Sequence, residues 1–161
     1  MTDIAPQKPQ PSIQVRRATS EDAAAIRDLT RASYAKWVPV IGREPLPMTV
    51  DYDRAVREHM IDLLLVDGAV AALIETVDAG DHLLIENVAV ATDLQGRGYG
   101  RQMLVHAESL AASRGLPQIK LYTNKQFAEN VGLYLHLGYV IDREEPFRGG
   151  FTVYMSKRIA A

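Results

Sequence analysis

Apolar and polar residues alternate in short runs along much of this chain, a pattern that predicts a sheet interrupted by a few helices. Ile13 and Val15 alternate with Gln14 and Arg16, the period of a strand over 12–17. Thr19-Ser20-Glu21-Asp22 then supplies a capping hydroxyl and first-turn acids for a helix. Ile26, Leu29, Ser33 and Trp37 fall on one face of that helix, and Pro39 is expected to end it. A loop over 42–47 leads to a second helical pattern at about 50–60. Strands at 63–66 and 70–77 are joined by Asp67-Gly68, a favoured hairpin turn. Asp78-Ala79-Gly80-Asp81 turns the chain into a long strand at 82–90, so three consecutive antiparallel strands are expected.

The following helix opens near Gly98 and runs to Arg114 with an apolar stripe of Met103, Leu104, Ala107, Leu110 and Ala111, stopped by Gly115 and Pro117. Ile119, Leu121 and Thr123 alternate as a further strand, and residues 130–137 form a short helix closed by Gly138. Strands at 139–143 and 151–155, linked by a turn over 146–150, complete the pattern. This order predicts a mixed α/β (α+β) sheet and not a regular βαβαβ repeat.

The chain's 161 residues are 47% hydrophobic and 24% charged, proportions of an ordinary globular protein. Residues 1–11 hold Pro6, Pro9 and Pro11 and lack the basic start and apolar run of a secretion signal; they read as a flexible N-terminal tail before a single domain at 12–161. The longest apolar runs fall far short of the ~20 residues that span a membrane, so a cytoplasmic domain without a membrane partner is expected. A net charge of −2 gives no general attraction to nucleic acid. With no cysteine there is no disulfide framework, thiolate nucleophile or cysteine-ligated zinc. His59, His82, His106 and His136 lie in different elements and form no HxxxH pair, so no metal is expected, and no Gly-x-Ser-x-Gly elbow is present.

The distinctive segment is 86–101, a strand, a glycine-rich loop and a helix start. Such a loop exposes successive backbone N–H groups, and the helix start adds partial positive charge, which together suit a phosphate. Arg97 and Arg101 oppose the helix dipole, which favours an anionic ligand there. The Gly-Lys-Ser/Thr of a Walker loop is absent. A dinucleotide fold wants an acid on the next strand, which here reads Gln118-Ile119-Lys120-Leu121-Tyr122. Coenzyme A pyrophosphate is a third reading of the loop.

This segment resembles the acetyl-CoA motif of the GNAT superfamily of N-acetyltransferases, Gln/Arg-x-x-Gly-x-Gly/Ala, here Gln95-Gly96-Arg97-Gly98-Tyr99-Gly100. Farther on, Tyr122-Thr123-Asn124 ends a strand, and Glu129-Asn130-Val131-Gly132-Leu133-Tyr134-Leu135-His136-Leu137-Gly138-Tyr139 resembles the family's second signature. With both motifs in order, the likeness covers about 13–157. It implies a GNAT-type acyl-CoA N-acyltransferase fold, with a central, mostly antiparallel, splayed sheet flanked by helices. It further implies acetyl-CoA as co-substrate and direct transfer to a primary amine of a small molecule or peptide in a ternary complex. Family members often pair, so a homodimer is in keeping with it.

Residue by residue, the resemblance implies that Val88-Ala89-Val90 offers backbone groups to the pantetheine arm, with the Val88 N–H facing the thioester oxygen. Gln95 opens the loop, and Gly96, Arg97, Gly98, Tyr99, Gly100 and Arg101 hold the pyrophosphate mainly through main-chain N–H groups. Tyr134 takes the place of the tyrosine near the coenzyme sulfur, where a phenol donates to the departing thiolate. Glu86, of the same strand parity as Val88, resembles the acid that assists amine deprotonation in polyamine-type acetyltransferases. Many members carry an asparagine seven positions before the tyrosine, where this chain has Phe127; Asn124 and Asn130 are the two candidates for its role. Tyr34, Trp37 and Phe147, with Arg43, Met48 and Arg148 nearby, lie in segments that cover the acceptor. A CoA-binding sensor module without turnover is the alternative; it would keep the loop and tolerate loss of Glu86 and Tyr134.

Overall fold

Seven strands form one sheet in the order β1-β2-β3-β4-β5-β7-β6 in the computed structural model, which describes residues 10–159. The strands are β1 (Ile13–Arg17), β2 (Met60–Val66), β3 (Ala69–Asp78), β4 (Leu83–Val90), β5 (Gln118–Asn124), β6 (Val140–Phe147) and β7 (Gly150–Arg158). All neighbours are antiparallel except β4 and β5. The expected three-strand meander is β2-β3-β4, and Asp67 and Gly68 at φ 50° and 84° make the predicted tight turn between the first two. The expected tail at 1–11 lies almost wholly outside the described residues.

The helices are α1 (Ala23–Tyr34), α2 (Val38–Ile41), α3 (Tyr52–Glu58), α4 (Tyr99–Ser113) and α5 (Ala128–His136). The sheet is covered on both faces. On one, α4 buries Met103, Leu104, Ala107 and Ala111 against Leu64, Ile74, Leu83, Ile85, Ile119 and Leu121. On the other, Ile26 of α1 with Tyr52 and Ala55 of α3 meets Ile61, Leu63, Leu73 and Ala89. Strand residues of alternating parity thus feed two separate cores.

Three sequence expectations are corrected. Pro39 does not end the first helix: α1 stops at Tyr34, a turn covers Ala35–Trp37, and Pro39 sits in the first turn of α2. A proline there gives up an N–H that has no partner in any case. The helix expected at 50–60 is shorter, because Asp51 caps it by accepting from the N–H groups of Asp53 and Arg54, and Met60 already pairs with Thr76. The last turn is only Arg148-Gly149, both at positive φ, and Pro146 lies inside β6. That strand is the sheet edge, where a missing N–H breaks no ladder bond.

Two irregularities of β4 shape the site. Its pairing with β5 covers only Leu83–Ile85 against Ile119–Leu121, and beyond that point the strands part. At the same place the β3 register slips, with Glu75 opposite Asn87 and Thr76 opposite Ile85, so Glu86 bulges out unpaired. The bulge corrects the parity expected for Glu86. Its carboxylate shares a face with Tyr122 and Glu75, whereas Val88 packs toward the α4 core.

Candidate active site

A cleft of about 290 Å³ opens on the α1/α3 face where β4 leaves β5. Glu86, Asn87 and Glu75 stand at the strands, Tyr34 and Tyr52 come from the helices, and Tyr134 of α5 faces the same space. The loop between α2 and α3 forms the outer wall. It is held down by Arg31, which donates to the Met48 carbonyl (3.1 Å) and pairs with Glu44 (3.2 Å), and by Tyr52, whose hydroxyl donates to the Pro47 carbonyl (2.7 Å).

Asn87, which sequence reasoning passed over, orders this wall. It is buried; its Oδ1 accepts from the Tyr34 hydroxyl (3.0 Å), and its Nδ2 donates to Thr30 Oγ1 (3.2 Å) and the Tyr52 hydroxyl (3.3 Å). Burial pushes both phenols well up from their ordinary range, so they stay neutral and serve as fixed hydrogen-bonding groups.

The acidic centre is larger than Glu86 alone. Glu86 accepts a hydrogen bond from Tyr122 (3.1 Å), and the Tyr122 phenol is raised to about 12 by burial and then by the Glu86 charge. Close by, Glu75 is 3% exposed and bonded through Oε2 to His59 Nδ1 at 2.6 Å. Burial raises the Glu75 carboxyl, His59 pulls it down, and Glu86 pushes it up again. Neither Glu75 nor His59 carried a sequence signal, because only the β2–β3–β4 register brings them to Glu86. No group of His, Asp and Glu suited to a metal occurs among the described residues.

Across the strand gap lies the expected phosphate loop. Gly96 (φ 80°) and Gly98 (φ 85°) adopt the left-handed conformation, and α4 begins after Gly98 with no side-chain cap, leaving its first N–H groups open. A Cβ on Gly100 would meet Val90 Cγ2 at 3.5 Å, so the helix start rests on the splayed strand. The Val90 carbonyl accepts from Gln95 Nε2 (3.3 Å) in place of a β5 partner. Arg97 and Arg101 are exposed beside the loop, while the Tyr99 side chain is buried, so Tyr99 can offer only its main chain.

Tyr134 is half-buried 5.9 Å from the Tyr139 ring, and burial pushes its phenol up to about 12. Asn124 lines the cleft, with its Oδ1 accepting from the Gln126 N–H (2.9 Å); Asn130 sits in the first turn of α5 and does not line it. Tyr34 and Phe147 line the cleft. Trp37 does not: it is buried behind the wall, stacked on Phe127 with centroids 4.7 Å apart. Phe127 is thus an apolar wall of the cleft.

A loop of free N–H groups at a helix start, beside a strand edge that has left its neighbour, is an arrangement suited to a phosphate-bearing ligand with an extended arm. A model of the acetyltransferase (GNAT) family matches residues 24–139, and the chain belongs to that family. It is 38% identical over 79 residues to N-alpha-acetyltransferase 80 of Mus musculus, a match over 49% of this chain and 23% of that relative, so the chain spans about a quarter of its length. Its structure resembles the ribosomal-protein-S18-alanine N-acetyltransferase of Escherichia coli (TM-score 0.76, 20% identity, 93% of this chain and 96% of that one). It also resembles the PaiA N-acetyltransferase of Thermoplasma acidophilum in complex with coenzyme A (TM-score 0.78, 17% identity, 91% and 99% covered). At these identities the structural likeness is one of fold, a mostly antiparallel sheet flanked by helices. Acetyl transfer from acetyl-CoA is the chemistry of the family, and the uncapped helix start and open β4 edge fit that co-substrate.

Proposed function

We propose that this domain moves the acetyl group of acetyl-CoA to a primary amine of a small molecule or peptide, with both substrates bound together. The observation that carries the reading is the coincidence of the Glu86 bulge with the point where β4 leaves β5. That geometry puts a carboxylate at the floor of a cleft on one face and leaves open the strand edge where a thioester would lie.

The thioester, when bound, supplies an activated acyl carbon with a sulfur leaving group. An alkylamine arrives mostly as ammonium, since such groups titrate near ~10. Glu86 attracts it and takes its proton, directly or through a water, so that the nitrogen lone pair can attack. The neighbouring Glu75–His59 pair adds negative character to the same floor. As the carbon–nitrogen bond forms and the carbon–sulfur bond breaks, negative charge collects on sulfur. The Tyr134 hydroxyl, which keeps its proton through the neutral range, donates a hydrogen bond to that sulfur. The main chain of Gly96 to Arg101 binds the diphosphate, and Gln95 occupies the Val90 carbonyl through its Nε2.

The test is thiol release from acetyl-CoA with a panel of polyamines, amino acids, aminoglycosides and peptides bearing free N-termini, with the product identified by mass. An acetylated amine formed in step with free CoA is the expected result. Tight CoA binding with no turnover across the panel would favour a sensor role instead.

A further inference from the structure

The cleft carries opposite charges on two of its walls. The strands hold Glu86 and the deeply buried Glu75, which is bonded to His59. Across from them, in the chain between α2 and α3 that forms the outer wall, Arg43 is the one arginine or lysine lining the cleft among the described residues.

Arg43 is not accounted for by the fold. Its guanidinium lies 5.5 Å from the centre of the Phe147 ring, on which it can stack. Its Nε is shut off from solvent and has no hydrogen-bond partner, and no ion pair involves it among the described residues. The adjacent acid, Glu44, is taken up by Arg31. A nitrogen closed to water is closed to a ligand oxygen too, so the part of the fork left for a ligand is the pair of terminal nitrogens, and a planar carboxylate is the group that best meets such a pair, through two parallel bonds.

We propose that Arg43 determines acceptor specificity by receiving a carboxylate at the far end of the substrate, so that the acceptor is an amino carboxylate whose amine lies toward Glu86. The inference rests on the N-acetyltransferase reading of the same cleft. The ammonium end is drawn to Glu86, the body lies along the rings of Tyr34, Tyr52, Phe127 and Phe147, and the carboxylate closes on Arg43 of the outer wall. A reversed substrate would set its carboxylate against Glu86 and Glu75, so the charge pattern selects orientation as well as class.

The experiment compares kcat/KM for amines matched except for the carboxylate: benzylamine with 4-(aminomethyl)benzoate, and hexylamine with 6-aminohexanoate. A short peptide with an acidic side chain beyond its free N-terminus forms a further arm, which separates a free amino carboxylate from a peptide carrying the same group. The wild-type protein should favour the carboxylated member of at least one pair by about ten-fold or more. Arg43→Gln should bring that ratio close to one, and Arg43→Lys should restore part of it while controlling for loss of the fold. A flat ratio in the wild type overturns the inference, as does an equal loss for both members of a pair in Arg43→Gln, which would make Arg43 a packing residue. A flat ratio with plain amines still acetylated leaves the N-acetyltransferase reading standing. Absence of thiol release with every amine removes both.

Discussion

Replacing Tyr134 with phenylalanine removes one hydroxyl from the lining of the cleft, where we propose that the coenzyme sulfur lies. Burial holds that phenol at about 12, whereas an ordinary thiol titrates near ~8.5. Full proton transfer to a free thiolate is then uphill, which makes the hydroxyl a hydrogen-bond donor to sulfur more than a classical acid. A hydrogen bond to a charged partner is worth about 1.5–3 kcal/mol. Tyr134→Phe should therefore lower kcat by roughly 10- to 150-fold. The affinity for CoA should stay within about two-fold, because the main-chain loop at Gly96 to Arg101 is untouched. The pH dependence follows from the same shift: the hydroxyl remains protonated through the neutral and mildly alkaline range, so it contributes no falling alkaline limb below about pH 11. The assay is thiol release at saturating amine, with calorimetry for CoA. A kcat within two-fold of wild type would refute contact with the leaving sulfur, and an equal loss of CoA affinity would make the residue part of the binding wall.

Glu86→Gln removes the proposed base, and kcat/KM should fall by about 10²–10⁴-fold near neutrality. Because the variant depends on amine that is already neutral, its rate should climb about ten-fold per pH unit toward the amine pKa near ~10; a constant ratio to wild type across that range would contradict the role. Gly98→Ala places a side chain at φ 85° with nothing within 4 Å of the new Cβ, so the penalty is conformational, about 1–2 kcal/mol. It should appear as roughly five- to thirty-fold weaker CoA binding by calorimetry; unchanged affinity would remove the loop from the diphosphate site. Asn87→Ala breaks three bonds, to Tyr34, Thr30 and Tyr52, while Tyr52 keeps its bond to Pro47. The loss should be about 2–3 kcal/mol in urea unfolding, and a change below about 0.5 kcal/mol would mean that the network contributes little.

The architecture was legible because its signals are local. Asp67-Gly68 makes its turn wherever the hairpin lies, and the glycines at 96 and 98 are required by the positive φ of a loop that leads into a helix. The expected cleft residues Glu86, Tyr34, Phe147, Asn124 and Tyr134 do meet. What escaped is long-range. The bulge that turns Glu86 toward the α1/α3 face is a register slip against β3, and no pattern within β4 announces it. Glu75 and His59 reach Glu86 through pairing across three strands, and Asn87 reads in sequence as any polar strand residue. Trp37 was expected at the acceptor because it lies in the helix–loop segment that the family resemblance puts there, but the chain tightens into a single short turn after Tyr34 and carries the indole behind Phe127.

Two-substrate initial-rate kinetics, with acetyl-CoA and a productive amine varied together, test the central claim most directly. The account predicts intersecting reciprocal plots, acetylated amine equal to CoA released, and no acetyl group left on the protein in a single turnover without amine. Parallel plots with an acetylated protein would contradict direct transfer in a cleft that holds both substrates at once.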